Sequence, residues 1–209
     1  MAAAIGSSKN EHFLPDDYVI TPIRRAIQNR QDVLLSVSGA GSVVVRGARG
    51  EYFSEPGGFD PVKFCTTTAG HVRVAVLEVA DTDRRADSRT PRNVDELLWM
   101  AGFHASGGRL MDGCNTYDVV QFQHWPNLTR LPHTPNTMRI VAMLARHASS
   151  IALAHRLLKI EPAELYQIYC AARCAGIVRV VNGAVQEPAL KPHRNQTLLS
   201  HLMAKIAGL

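Results

Sequence analysis

Three short runs of β-branched or aromatic residues, at 33–37 (VLLSV), 42–46 (SVVVR) and 51–53 (EYF), stand only a few positions apart. Gly39-Ala40-Gly41 separates the first two, and Gly47-Ala48-Arg49-Gly50 separates the second from the third. Glycine adopts positive φ without steric cost, so such short connections reverse the chain. Successive reversals between strand-forming runs dictate an antiparallel meander. Residues 72–79 (VRVAVLEV) alternate and close the set as a longer strand. Ahead of the meander, residues 22–31 open with Pro22 and space Ile23, Ala26 and Ile27 helically, with Thr21 as the expected cap. Residues 59–65 read as a short helix after the Glu55-Pro56-Gly57-Gly58 break. Residues 15–80 are thus expected to form a small α+β domain.

The pattern then changes. Residues 81–92 (DTDRRADSRTPR) hold no large apolar side chain, which predicts an exposed linker between two cores. Asn93 is placed to cap a helix with Asp95 and Glu96 in its first turn, where the helix dipole favours acids. Gly107-Gly108 ends it, and residues 117–125 (YDVVQFQHW) read as a strand stopped by Pro126. Residues 93–132 are expected to be a helix–strand connecting segment, and residues 133–209 a third unit.

Charge separates that third unit from the rest. Residues 136–209 carry nine basic and three acidic side chains, whereas residues 1–135 carry fourteen and fifteen. The excess points to an anionic partner: nucleic acid, a membrane surface or an acidic protein face. Aromatic residues make up 6% of the chain, too few for a base-stacking platform. No apolar run approaches a membrane span, and the N-terminus lacks a basic region followed by an apolar stretch. The expectation is a cytoplasmic protein without a membrane partner. Four unevenly spaced cysteines (Cys65, Cys114, Cys170 and Cys174) do not read as a disulfide framework.

Three helices follow from His133. Thr134 with Pro135 opens the first, to about His147. Ser149 or Ser150 caps a second over 151–158, and Glu161-Pro162 starts a third that runs to Ala175 and stops at Gly176. Residues 177–181 (IVRVV), Asn182-Gly183 and residues 184–187 then read as a hairpin. The string SIALAHRLLKIEPAELYQIYCAARCAGIVRVV resembles the winged helix-turn-helix superfamily in the spacing of Ile151, Ala154, Leu157, Leu158, Leu165, Ile168 and Ala172. The resemblance covers residues 134–188. It implies a winged-helix fold and no particular ligand, since similar modules occur in bacterial signalling proteins that do not bind DNA as well as in transcription factors. Residues 197–209 place Leu198, Leu202 and Ile206 on one helical face, with Leu199 and Met203 beside them. This amphipathic helix either covers the winged-helix core or docks a second copy.

At about 100° per residue, Leu165, Ile168 and Ala172 define the inner face of the third helix. Its outer face then carries Ala163, Gln167, Cys170, Ala171 and Cys174. A base-reading helix usually offers Arg, Lys, Asn or Gln near its start. Here Glu161 and Glu164 stand there, so the expected partner of this small-residue face is protein. Arg139, Arg146, Arg156, Lys159, Arg179, Lys191, Arg194 and Lys205 are the candidates for phosphate or acidic-partner contacts.

Catalytic signatures are weak. Ser38-Gly39-Ala40-Gly41 lacks the third glycine and the following helix of a dinucleotide loop. His104-Ala105-Ser106-Gly107-Gly108 has histidine where a nucleophile elbow needs glycine, and Asp112 completes no triad order. Cys114 and His124 are near in sequence only. Cys170 and Cys174 share a helix face, but no second ligand pair accompanies them, although His147 and His155 are at hand. Arg85 and Arg89 are spaced as in PilZ-type cyclic-dinucleotide binders, without the companion Asp/Asn-x-Ser-x-x-Gly element. The expectation is a non-catalytic bacterial regulatory protein with no cofactor and no bound metal. Its winged helix would contact a protein partner or a second copy, or alternatively duplex DNA as a transcription regulator.

Overall fold

Gly41 shows why the meander folds where it does. A computed structural model of the chain describes residues 12–182 apart from Ser88. In it Gly39 and Gly41 have φ of 69° and 94°, and a Cβ on Gly41 would lie 2.2 Å from the Gly58 carbonyl oxygen. After β1 (His12–Phe13) and α1 (Ile20–Gln28), that turn joins β2 (Asp32–Val37) to β3 (Gly41–Arg46), and β4 (Glu51–Ser54) follows. α2 (Pro61–Thr66) begins at Asp60, whose carboxylate accepts the Lys63 backbone N–H, and leads to β5 (Val72–Leu77). Next come α3 (Val79–Ala86), β6 (Arg92–Asn93), α4 (Val94–Ser106), β7 (Leu110–Met111) and β8 (Val119–Phe122). The chain continues through α5 (Thr137–Arg146), β9 (Ser149–Ser150), α6 (Ile151–Leu158), α7 (Pro162–Cys174) and β10 (Val178–Val180). The fold is α+β.

The main sheet is antiparallel, in the order β5-β2-β3-β4-β6. Alternation gives it two faces. Val33, Leu35, Val37, Val43, Val45 and Tyr52 point into the main core. Val44 and Phe53 are cross-strand partners on the other face and are also buried. On that second face α3 is tied down by charge. The Arg46 side chain, 5% exposed, meets Asp83 at 2.6 Å and Glu51 at 3.7 Å. Arg85 meets Glu55 at 3.1 Å, and the Arg89 guanidinium stacks 5.8 Å from the Phe53 ring centroid.

Residues 81–92 are therefore not a bare linker. Their composition hid a helix held by ion pairs and by the fully buried Thr82, followed by an edge strand paired with β4. Nor do two cores flank them. One hydrophobic cluster runs from Val33 and Tyr52 through Leu97, Trp99 and Ala101 to Leu165, Ile168 and Val178. The helix assigned to a connecting segment is its centre: α4 packs on α1, α2 and β4 and also on α7. A helix apolar all round needs protein on every side, and this removes the expected division into separate domains.

A second, three-stranded sheet has β8 between β9 and β10. Residues 177–181 were expected to pair with residues 184–187. Their described partner is β8, with Val178 opposite Phe122 and Val180 opposite Val120. Asn182, expected in the tip of that hairpin, accepts the Val119 backbone N–H through its side-chain oxygen at 3.0 Å. Residues 184–187 and the amphipathic segment 197–209 lie outside the described residues. Among the described residues no helix is long and apolar enough to cross a membrane.

Candidate functional site

The face of α7 that composition offered to a partner is covered by the chain's own α4. Cys170 and Ala171 are fully buried and Cys174 is 4% exposed. The cause is Gly102 on α4. A Cβ there would lie 2.8 Å from the Cys170 carbonyl oxygen and 2.8 Å from the Cys174 sulfur. Glycine opposite small residues lets two helix backbones approach closely, and that approach consumes the face. The outer-face assignment of Cys170, Ala171 and Cys174 is thereby corrected. Gln167 is half-buried, and its amide donates to the Phe103 carbonyl at 3.1 Å, again on α4. Ala163 is exposed at the start of α7, close to Gly108.

The cysteines are sulfur packing. Cys170 Sγ accepts the Met111 N–H at 3.2 Å, and Cys174 Sγ lies 3.7 Å from Met111 Sδ. Burial pushes the Cys65 and Cys174 thiols up to about 12 and raises those of Cys114 and Cys170. Such thiols are poor nucleophiles and poor ligands. Cys114 sits beside Tyr169 and Arg173, whereas the charge that His124 acts on is that of Asp95. Among the described residues no three His, Cys, Asp or Glu side chains converge as a metal site would need. His155 Nδ1 instead meets the Ile160 carbonyl at 2.6 Å. Ser106 is fully buried and donates to the Arg109 carbonyl at 2.6 Å, ending α4 rather than presenting a nucleophile. Arg85 and Arg89 both turn to Glu55.

The acidic start of α7 also has an internal use. The Glu164 carboxylate accepts both the Asn136 backbone N–H and its side-chain amide at 3.0 Å, bracing the start of α5. Burial alone would raise the Glu164 carboxyl, but hydrogen bonds from Thr134 and Asn136 outweigh it and hold it below the usual range.

What remains open is the outer face of α5 and α6. Ser150 caps α6 by accepting the Leu153 N–H, and Ile151 and Ala154 are fully buried beneath it. One turn apart on its other side, Leu153 and Leu157 are 45% and 62% exposed. On α5, Met138 is 57% exposed. Cations accompany them. Arg139 donates to the Leu158 carbonyl at 3.0 Å, which sets the start of α5 against the end of α6. Arg146, Arg156 and Lys159 are exposed and form no ion pair among the described residues. Arg179 lies on β10, its guanidinium 3.4 Å from Gln121. Lys191, Arg194 and Lys205 lie outside the described residues. The sequence reading grouped Leu157 with Ile151, Ala154 and Leu158 in one apolar pattern. Its exposure is visible only once the packing is known.

A concavity, missed by sequence reasoning, lies between the start of α4 and the end of α7. It measures about 170 Å³ and is lined by Asp95, Trp99, His124, Trp125 and Ile177 among others. Burial raises the Asp95 carboxyl, with His124 working against the shift. Asp95 and His124 are 29 positions apart, so no local motif announces them. No family model, no curated protein and no solved structure matches this chain.

Proposed function

We propose that this chain is a non-catalytic bacterial regulatory protein that acts by protein–protein contact through the outer face of α5 and α6. The observation that carries the proposal is the pair Leu153 and Leu157, exposed one turn apart on a helix that buries Ile151 and Ala154 on its other side. Exposed apolar side chains rimmed by charge mark interaction surfaces. The charged residues of these two helices and of the turn after them are cationic: Arg139, Arg146, Arg156 and Lys159. The partner this face fits is an acidic amphipathic helix, whose apolar stripe would lie over the leucines. The chain's own residues 183–209 are a poor match, because they carry Lys191, Arg194 and Lys205 against Glu187 alone.

The resemblance of residues 134–188 to winged helices supports a regulatory role. Base reading by the third helix is not part of the proposal, since its outer face packs on α4. The test installs a photocrosslinking side chain at position 157 in cells. Covalent trapping of an acidic protein, abolished by charge reversal at Arg156 and Lys159, is expected. A gel shift with random duplex DNA, steep in salt and unaffected by Leu153→Glu and Leu157→Glu, would overturn the proposal in favour of a DNA-binding regulator.

A further inference from the structure

The main sheet carries a second unfinished surface, far from the helical face in sequence and different in kind. β5 is an edge strand: it pairs with β2 on one side, and no described strand pairs with it on the other. Its register places Val76 opposite Val33, Val74 opposite Leu35 and Val72 opposite Val37. These β2 residues are core, at most 5% exposed. Of their partners on the same face, Val72 still packs against the core, but the next two do not. Val74 is 49% exposed and Val76 is 67% exposed. The core face of the sheet therefore runs out uncovered at its last strand. An open six-residue edge with apolar side chains and no proline is the kind of strand that soluble proteins otherwise blunt.

We infer that β5 pairs antiparallel with β5 of a second copy of this chain, about a two-fold axis through Ala75, joining the two sheets into one. A two-fold axis perpendicular to the sheet keeps each face on its own side, so only residues of equal parity meet. Centred on Ala75, the pairing sets Val74 opposite Val76 of the second copy, twice. The four half-exposed valines become two β-branched cross-strand pairs. The other face provides charge complementarity. Arg73 falls opposite Leu77 of the second copy, and Leu77 is itself opposite Asp32 on β2. Two strand spacings put Arg73 and that Asp32 about 10 Å apart at Cα, within the combined reach of the two side chains. Neither Arg73 nor Asp32 forms an ion pair among the described residues. The symmetry makes two such pairs, one on each flank, and an isologous interface closes on itself rather than growing a fibre.

The test is sedimentation of the full chain across concentration. A dimer is expected, and Val76→Lys, on a side chain already in solvent, should weaken it by about tenfold or more, because each dimer receives two misplaced charges. Arg73→Asp and Asp32→Arg should each weaken it, and the double reversal should restore it. Ala75→Cys should form a disulfide-linked dimer on mild oxidation, since the four native cysteines are buried. Leu153→Glu with Leu157→Glu should leave the dimer intact, which separates this inference from the α6 proposal. A chain that stays monomeric, a dimer indifferent to Val76→Lys, or a double reversal that fails to restore association would overturn the inference.

Discussion

α6 and α7 are neighbours in the chain, joined by Lys159 and two further residues, yet they meet opposite fates. α6 buries Ile151 and Ala154 and leaves Leu153 and Leu157 in solvent. α7 buries Leu165, Ile168, Tyr169, Cys170, Ala171, Ala172 and Cys174, on nearly every side. The helix with the larger apolar side chains on its second face is the open one, and the helix with alanine and cysteine there is the closed one. Small residues permit a second helix to come close, and Gly102 on α4 completes the approach. Large residues hold a neighbour off and remain available to a partner that arrives later.

That contrast can be broken at α7 first, where the effect should be largest. Ala171→Arg places an unpaired charge against α4 and should cost several kcal/mol, lowering the urea midpoint steeply or abolishing folding. Gly102→Val attacks the same contact from the other side and should cost about 1–3 kcal/mol by overpacking. If either variant unfolds at the wild-type midpoint, α4 does not cover α7.

Thiol labelling sharpens the same point. With thiols raised by burial to about 12, Cys65 and Cys174 should be inert toward disulfide reagents at pH 8, and all four cysteines should react once urea unfolds the chain. Fast labelling of Cys174 in the native protein would show its side of α7 open.

On α6, Leu153→Glu with Leu157→Glu should change stability by no more than about 0.5 kcal/mol, as exposed positions do, while removing partner contact. A large loss of stability would place these leucines in a core instead. The smallest effect concerns Glu164, which braces α5 from the first turn of α7. Its carboxyl is held below the usual range in the folded chain, so its contribution is present at neutral pH and fades as pH falls through the folded value. Glu164→Gln should cost less than about 1 kcal/mol at pH 7 and less still at acid pH, by thermal melts at both. An equal cost at both pH values would show that charge is irrelevant there.

The longer elements were for the most part legible in the residues. β-branched runs between glycine turns produced β2, β3 and β4, and Asn93, Ser150 and Gly107 delimit α4 and α6 as capping chemistry requires. Local forces act over a few residues, and those residues are written side by side. α3 escaped because ion pairs to Arg46 and Glu55, more than 25 positions away, replace the apolar stripe that would have announced it.

For the surfaces, sequence determined that α7 has one face of small residues and that the basic excess lies after residue 135. It did not determine who meets that face. A small-residue stripe states that something packs closely, and only the tertiary structure decided that the something is α4, brought there by a chain reversal some 60 residues earlier. The same holds at β5, whose alternation is plain in the sequence while its uncovered valines are not. Exposure depends on where the covering layer ends, and along β5 that cover reaches Val72 but not Val74 or Val76.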